Sequence, residues 1–496
     1  ADSSAAERNY MKVGFNNSLY LQMQSERIMQ RIDSFGDKLY LEFGGKLFDD
    51  YHASRVLPGF KPDSKLQMLL QLKDQAEIII AVNASHIAEN KIRGDLGIPY
   101  DEDVLRLIGE FQNVGLYVSS VVITHYNGQK AVERLKRRLE KRNINVYKHY
   151  FIEGYPTNTR KILSKDGFGK NDYVKTTRPL VVVTAPGPGS GKMATCLSQL
   201  YHELQRGVKA GYAKYETFPI WSIPLNHPVN LAYEAATADL NDKNMIDPFH
   251  LDAYGEVTVN YNRDIEIFPV LKNMFTEIYG SSPYQSPTDM GVNMAGFGIE
   301  DDEAVREAAR QEIIRRYFKT RVRFFKEQCG PEEVQKQEML MEQAGIRDTD
   351  RACVGAARAK EKERGARSGA LQLEDGTMIT ATTTDFMGPC AGLVVNAVKH
   401  LAGIPDEEHI ISPESFEPIQ ALKTHYLGAN NPRLHTTELL IALAMSARIN
   451  PSARKAMEQL PKLKALQAHI TSDLSEVDLQ AYNTLGIQFT YEADKR

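Results

Sequence analysis

The segment of residues 180–196 constrains the fold of this chain more than any other. It reads Leu-Val-Val-Val-Thr-Ala-Pro-Gly-Pro-Gly-Ser-Gly-Lys-Met-Ala-Thr-Cys. An apolar run, a glycine-rich loop and a helix-forming stretch predict a strand, a phosphate-binding loop and a helix in that order. The glycines allow successive backbone N–H groups to converge on a phosphate, and the start of the helix adds its positive dipole end.

This loop departs from the usual phosphate-binding pattern of glycine, four residues, glycine, lysine and then serine or threonine. Pro186 replaces the first glycine, and Met193 replaces the residue that normally holds magnesium. We therefore expect phosphate binding rather than ordinary hydrolysis of magnesium-ATP. A plain strand-to-helix connector with a surface lysine is the structural alternative. The expected ligand-binding residues of the loop are Pro186, Gly187, Gly189, Ser190, Gly191, Lys192 and Thr195.

Composition excludes several classes of function. The 496 residues are 42% hydrophobic and 25% charged, as in ordinary globular proteins. Lys and Arg number 60 against 64 Asp and Glu, so no basic excess points to nucleic acid. The four cysteines form no disulfide framework. No stretch approaches the roughly 20 apolar residues of a membrane span, and residues 1–9 lack the apolar core of a secretory signal. We therefore expect a cytoplasmic protein that binds neither nucleic acid nor membrane.

Strand-like and helix-like segments alternate through about the first 165 residues and again over residues 180–240, which predicts a parallel sheet with crossover helices. Strands are expected over residues 38–43, 76–82, 118–124, 145–152 and 180–184. We predict an α/β protein, with a Rossmann-like or P-loop-like parallel sheet flanked by helices and a helix-rich α+β C-terminal domain. The expected segments are a Rossmann-like module over 10–165, a P-loop-like module over 166–300, a helical connector over 301–368 and the α+β domain over 369–496.

Polar or glycine-rich residues follow several of these strands, where open α/β sheets bind ligands. His86 and His125 follow two strands and could converge on one crevice, although a lone histidine is more often structural. Five further positions follow strands in this way. The structural alternative for residues 44–46 is a turn with a solvated lysine, and the alternative for Lys214 and Glu216 is a surface ion pair. Those positions, which we expect to contact the ligand, are Gly44, Gly45, Lys46, Lys214 and Glu216.

Acidic and polar residues also cluster over residues 227–252. Asn230 and Glu234 are four residues apart on a predicted helix and share a face. We expect Lys192 to act in catalysis, with Glu234 or His250 handling protons. Caps and turns are the structural alternative for this segment. The expected magnesium ligands are Asp239, Asp242 and Asp247.

Several longer blocks resemble an uncharacterised family of bacterial proteins, grouped as a conserved domain of unknown function. They are Gly14-Phe15, Gln24-Ser25-Glu26 and residues 40–51, 184–192, 212–219 and 224–248. This resemblance covers nearly the whole chain and implies no activity. The loop alone, with Thr184-Ala185-Pro186 before Gly189-Ser190-Gly191-Lys192, resembles that of formyltetrahydrofolate synthetase and related nucleotide-dependent ligases. Met193 departs from that pattern, which leaves Thr195 or a downstream aspartate to replace the magnesium ligand.

Taken with the residues, these patterns predict a nucleotide- or phosphometabolite-binding enzyme, either an ATP-dependent ligase or a phosphoryl transferase. ATP or another nucleotide would be its cofactor, with Mg²⁺ as the accompanying ion. Two alternatives stay open. Met193 favours a non-catalytic nucleotide- or metabolite-binding protein. An NAD-type oxidoreductase fits less well, because the glycines are not spaced G-x-G-x-x-G. We also expect a homo-oligomer, with an interface formed by the helix of residues 304–328 and the apolar C-terminal helices.

Overall fold

The computed structural model describes residues 13–36, 38–45, 47–48, 50–93, 97–240 and 242–493. These residues form two compact units. The N-terminal unit contains residues 13–234 and 242–305, and the C-terminal unit contains residues 235–240 and 306–493. Our expectation for residues 1–9 lies outside the described residues.

The strands of the N-terminal unit are β1 Lys38–Phe43, β2 Ala76–Asn83, β3 Ile92–Arg93, β4 Ile98–Pro99, β5 Tyr117–Tyr126, β6 Asn145–Tyr150, β7 Leu180–Thr184, β8 Ala210–Tyr215, β9 Asn244–Ile246, β10 Val259–Tyr261 and β11 Gly291–Val292. The helices up to its end are α1 Asn17–Phe35, α2 Tyr51–Val56, α3 Ser64–Gln71, α4 Ala84–Ala88, α5 Tyr100–Asn113, α6 Lys130–Glu140, α7 Thr159–Ile162, α8 Lys192–Gln205, α9 Pro228–Ala236, α10 Pro248–Tyr254, α11 Asn262–Tyr279 and α12 Pro287–Met290. Helix α13, Asp302–Phe325, begins in this unit and continues into the next.

One seven-stranded sheet forms the centre of the N-terminal unit, in the order β11-β8-β1-β7-β2-β5-β6. Every neighbouring pair is parallel. The predicted parallel α/β architecture is therefore confirmed. Strands from residues 10–165 and from residues 166–300 are intermixed in this sheet, because β1 lies between β8 and β7, so both segments belong to one unit.

Two apolar clusters cover the two faces of this sheet. Leu39 and Leu41 of β1 join one cluster and Tyr40 joins the other, because successive side chains of a strand point to opposite faces. Helices α1, α3, α5 and α6 contribute to the first cluster, and α8 and α11 contribute to the second. Burial on both faces explains why these strands read as continuous apolar runs.

The chain leaves the neighbouring strands β1 and β7 in opposite directions. From β1 it passes β7 to reach β2, and from β7 it passes β1 to reach β8. The two strands pair in parallel, with Glu42 opposite Val183 near their carboxyl ends. Open α/β folds bind ligands in the crevice at such a topological switch point. The residues that follow β1 and β7 flank this crevice.

The C-terminal unit has a mixed four-stranded sheet in the order β13-β12-β14-β15. Its strands are β12 Ser368–Gln372, β13 Met378–Thr382, β14 Gln467–Ile470 and β15 Gln488–Tyr491. Its helices are α14 Pro331–Gln343, α15 Ala352–Arg364, α16 Pro389–Leu401, α17 Pro413–Ala421, α18 Thr436–Ser446, α19 Pro451–Met457 and α20 Glu476–Leu485. The helix-rich, mixed-sheet character predicted for this region is confirmed.

Helices α16, α18 and α20 share one apolar core in that unit, which includes Leu393, Leu443 and Tyr482. Among the described residues of the whole chain, none of the helices combines the length and apolarity needed to cross a membrane.

Candidate functional site

The loop between β7 and α8 is held through its carbonyl groups. Four side chains donate hydrogen bonds of 2.8–3.1 Å to loop carbonyl oxygens: Asn83 to Gly189, Thr124 to Ser190, Ser190 to Gly187 and Thr195 to Gly191. Asn83 ends β2 and Thr124 lies near the end of β5, so two neighbouring strands fix the loop. These four carbonyl oxygens are therefore occupied, and the N–H groups are the polar backbone atoms with which the loop can bind a ligand.

Those N–H groups remain open. No described residue accepts a hydrogen bond from the N–H of Gly189, Ser190, Gly191 or Lys192. Gly189 and Gly191 have φ angles of +73° and +82°. Left-handed residues of this kind turn successive N–H groups into an anion-binding concavity. A β-carbon on Gly191 would lie 3.0 Å from Thr124, so both the conformation and the space favour glycine there.

Lys192 and Met193 begin α8 with different surroundings. Lys192 is half-buried, and no described carboxylate lies within ion-pair distance of its ammonium group. Met193 packs against the apolar cluster that contains Leu197. A thioether is not an oxygen ligand of the kind that Mg²⁺ prefers. The hydroxyl of Thr195 is buried and already donates to a carbonyl one turn earlier.

The structure brings His86 and His125 together beside this loop. A β-carbon on Gly189 would lie 3.4 Å from the His86 ring. Burial lowers the pKa of His86, with further lowering by the charges of Lys91 and His125. Burial likewise lowers the pKa of His125. Both shifts favour the neutral form of the ring, and Nδ1 of His86 is buried without a hydrogen-bond partner among the described residues.

Two glycines after β1 are required by packing. The N–H of Gly44 donates to a β8 carbonyl oxygen at 3.1 Å, and a β-carbon on Gly44 would lie 2.8 Å from that oxygen. Gly45 has a φ of +71°, and a β-carbon there would lie 2.9 Å from Nζ of Lys65. Lys65 is buried and pairs with Asp50 at 2.8 Å. The absence of side chains at Gly44 and Gly45 therefore leaves room for the buried Lys65 at the end of β1. Lys46 lies outside the described residues.

A buried charged cluster lies at the carboxyl end of β8. Lys214 is only 7% exposed, and its Nζ lies 2.8 Å from Oε1 of Glu216. The same ammonium also contacts Asp264 and the hydroxyl of Tyr261, two residues around the start of α11. The Tyr261 hydroxyl donates to Glu216 at 3.2 Å. Lys214 and Glu216 therefore form part of a buried network and not the surface ion pair that we weighed as an alternative.

Charge is unbalanced in this network, because one ammonium group faces several carboxylates. Burial raises the pKa of Glu216 to about 7; Lys214 opposes this shift, and Asp264 and Glu42 add to it. Burial disfavours the charge of Lys214, but Asp264 and Glu216 outweigh it and raise the pKa of Lys214. Glu216 is consequently the carboxyl group here whose protonation changes near neutral pH, as a general acid or base requires.

Glu42 connects this network to the loop. It lies opposite Lys214 in the β1–β8 register and accepts a hydrogen bond of 2.7 Å from Tyr212. Burial and the charge of Glu42 raise the pKa of Cys196, and the charge of Lys192 lowers it. Glu42 also lies opposite Val183 of β7, so β1 stands between β8, which carries the charged network, and β7, which leads into the loop.

Glu234 takes part in holding the backbone. It lies on α9, is 6% exposed and accepts a hydrogen bond of 2.9 Å from the N–H of Asn244. Asn230, one turn earlier, bonds both the N–H and the carbonyl of Ile220. The two side chains share a helix face as expected, and that face stabilises the segments around it.

Two of the three aspartates that we predicted as metal ligands have other partners, and the third is exposed. Asp242 pairs with Arg263 at 2.7 Å. Asp247 caps α10 and accepts a hydrogen bond of 2.6 Å from Thr288. Asp239 is exposed on a short turn assigned to the C-terminal unit. Within the described ranges, no group of three or more His, Cys, Asp and Glu side chains is arranged to hold a metal ion.

His250 lines a different cavity, with a volume of about 370 Å³, at the β11 edge of the sheet. Its Nδ1 lies 2.8 Å from the hydroxyl of Ser286. A β-carbon on Gly291, which also lines the cavity, would lie 3.7 Å from Oε2 of Glu216. This cavity therefore borders the charged network from its outer side.

Our reading of the sequence did not include several residues of the crevice. Asp264 and Tyr261 are about fifty residues from Lys214, and only tertiary packing joins them. The hydroxyl of Tyr100 would lie 2.4 Å from a β-carbon on Gly187, and no local motif marks it. Two signals were present for the others: Glu42 stands between Leu41 and Phe43 near the end of a strand, and Lys65 precedes Leu66 at the start of a helix.

Two family models match the chain: "Domain of unknown function DUF1846, N-terminal" over residues 13–345, and its C-terminal counterpart over residues 349–495. The chain is 55% identical over 481 residues to a UPF0371 protein of Streptococcus thermophilus, covering 97% of each chain. A UPF0371 protein of Streptococcus pneumoniae shows the same identity and coverage. These names state no activity, and the loop's likeness to formyltetrahydrofolate synthetase has no counterpart in these matches.

Proposed function

The chain belongs to the DUF1846 family, and we propose that its N-terminal unit binds a phosphorylated small molecule through residues 186–192. The open N–H groups of residues 189–192 carry this proposal, because the loop's carbonyl oxygens are bound by side chains. Lys192 adds a cation without a described carboxylate partner, and the helix α8 adds its positive end. The position at a topological switch point supports the same assignment.

The reaction class that we propose is nucleotide-dependent ligation or phosphoryl transfer. A bound nucleotide would supply the activated phosphoryl group. Lys192 and the loop N–H groups would hold its phosphates and stabilise negative charge on them. Glu216 would hold or release a proton, since its pKa is raised by burial toward neutrality. We assign no magnesium ligand, because Met193 packs in the core and Asp242 and Asp247 are engaged elsewhere.

A non-catalytic nucleotide- or metabolite-binding protein is the second candidate. The packing of Met193 favours it, since the site then needs no magnesium. The two candidates share the phosphate site and differ in turnover. An NAD-type oxidoreductase is a weaker third candidate, because the anion-binding loop could hold a pyrophosphate but the glycine spacing differs from the dinucleotide pattern.

A thermal-shift panel tests the phosphate site. The ligands are ATP, GTP, ADP, NAD(P), inorganic phosphate and phosphosugars, each with and without magnesium. A ligand that binds only the folded state raises its stability by RT ln(1 + [L]/Kd). We expect a phosphate-bearing ligand to raise the melting temperature of the wild type and to have little effect on Lys192→Ala. Lys165→Ala, which removes an exposed lysine of the same unit, is the matched control.

The outcomes separate the candidates. A shift with ATP or GTP followed by product formation supports the enzyme, and a shift without turnover across a substrate panel supports the binding protein. A shift with NAD(P) alone supports the oxidoreductase. Equal shifts in the wild type and Lys192→Ala, or no shift with any phosphorylated ligand, would overturn the proposed role of the loop.

A further inference from the structure

We propose that the cavity at the β11 edge is a second binding site, for a small organic oxyanion with an aromatic or apolar body. Its volume of about 370 Å³ lies within the range typical of small-molecule sites. Residues of α1 and α12 and the segment around β11 line it. It is separate from the phosphate-binding loop, so this inference does not depend on the function proposed above.

Two arginines of α1 provide the positive charge of this cavity. Arg27 and Arg31 are one helical turn apart, and neither has a described carboxylate within ion-pair distance. Arg31 donates to the backbone carbonyl of Asp289, and its Nε is buried without a hydrogen-bond partner in the part of the chain that the structure describes. Adjacent like charges on a helix repel each other. An oxyanion between them would reduce this repulsion and accept paired N–H bonds from a guanidinium group.

The carboxylates that line the same cavity already have partners. Asp289 accepts hydrogen bonds from the Tyr254 hydroxyl at 2.8 Å and from a backbone N–H at 2.9 Å. Glu26 accepts one from Gln22 at 2.9 Å. Glu256 lies 3.8 Å from the ring of His250. Among the described residues that line the cavity, the buried donor left without a partner is Nε of Arg31, and an oxyanion is the acceptor that matches a guanidinium N–H.

An aromatic wall determines the second part of the ligand. The rings of Trp221 and Phe297 lie 6.0 Å apart between centroids, at an angle of 59°. The indole N–H of Trp221 donates to the carbonyl of Asn293 at 2.7 Å, so its polar group is satisfied. The remaining ring surface of Trp221 and Phe297 is apolar, so it can pack against an aromatic or aliphatic part of the ligand.

Trp221 makes this proposal measurable, because it is the only tryptophan in the sequence. Its fluorescence is titrated with phenylacetate, phenyl phosphate and the neutral benzyl alcohol. The variant is Arg27→Gln, since Arg27 is exposed and its replacement leaves the core unchanged. Arg137→Gln on α6 is the matched control, because Arg137 is an exposed helical arginine outside the cavity. Lys192→Ala serves as the control for the loop.

We expect a saturable change with at least one of the two anions and about tenfold weaker binding in Arg27→Gln, the loss expected for one charged hydrogen-bonding partner. Arg137→Gln should bind both anions as the wild type does, and Lys192→Ala should bind phenylacetate, which carries no phosphate, as the wild type does. A preference for phenylacetate would identify a carboxylate ligand, and a preference for phenyl phosphate a phosphate monoester. Equal affinity for benzyl alcohol, unchanged binding in Arg27→Gln, or no response to either anion up to its solubility limit would overturn the proposal.

Discussion

Replacing Lys214 with methionine tests whether the buried charged network of the N-terminal unit is organised as described. Lys214 is 7% exposed and is the cation shared by Glu216 and Asp264. Lys214→Met keeps the length of the side chain but leaves two buried carboxylates without their cation. Removing one partner of a buried ion pair costs about 3–5 kcal/mol. That loss is a large part of the roughly 5–15 kcal/mol that stabilises a typical domain.

Urea denaturation followed by Trp221 fluorescence measures this loss in the N-terminal unit itself, because Trp221 is the only tryptophan. Lys175→Met is the control, since it makes the same replacement at an exposed position of the same unit. Protonation removes the stranded negative charge, so the difference between Lys214→Met and wild type should shrink as the pH falls toward 5. Replacing all three residues, with Glu216→Leu and Asp264→Leu added, should restore most of the stability.

The reasoning would be refuted by a loss below about 1 kcal/mol for Lys214→Met, which is the range of exposed ion pairs. A loss that stays constant between neutral and acidic pH would refute it as well, because stranded carboxylates must respond to protonation.

Three further predictions concern single positions. Gly191→Ala should lower the stability of the N-terminal unit by about 1–2 kcal/mol in urea, because its φ of +82° is left-handed. It should also weaken the shift produced by phosphate-bearing ligands. The folded state raises the pKa of Glu216 from 4.5 to about 7 and so holds its proton more tightly. The stability that this group contributes is present below pH 4.5 and is lost as the pH rises through 7, by up to about 3 kcal/mol. Glu216→Gln should therefore weaken the dependence of the unfolding free energy on pH in this range. In the C-terminal unit, burial alone would raise the pKa of Asp478, but hydrogen bonds from His435 and Thr436 outweigh burial and lower this pKa to about 2. That stability is present above pH 3.8 and is lost as the pH falls through 2; Asp478→Asn should remove about 2 kcal/mol, measured as faster hydrogen exchange in α18 and α20.

The strands of the central sheet could be read almost residue by residue. Those predicted over residues 38–43 and 180–184 match β1 and β7, and the one predicted over 118–124 is extended by a few residues in β5. Such strands are buried on both faces, so their sequences are apolar throughout and end abruptly at glycine or polar residues. Strand β11 is only two residues long and carries no such pattern. Its place beside β8 is decided by tertiary pairing.

The candidate site also contains some features that the sequence predicted and others that only the structure shows. The loop of residues 186–192 was recognisable because its glycines, lysine and helix start are consecutive in sequence. The sequence did not reveal that Asn83 and Thr124, which belong to other strands, donate hydrogen bonds to carbonyl oxygens of this loop. Glu216 was expected to contact a ligand, but its raised pKa depends on burial and on Asp264, which lies 48 residues further along the chain.

By itself, the sequence determined the alternation of strands and helices, the parallel sheet and the position of the glycine-rich loop, because these follow from periodicity and local backbone chemistry. The tertiary structure alone decided which charges are buried together. It set Lys214 among Glu216, Asp264 and Tyr261, and it left Arg27 and Arg31 facing a cavity with no described carboxylate within ion-pair distance of either guanidinium group. Electrostatic energies depend on distance and burial between residues far apart in sequence, and a local pattern encodes neither.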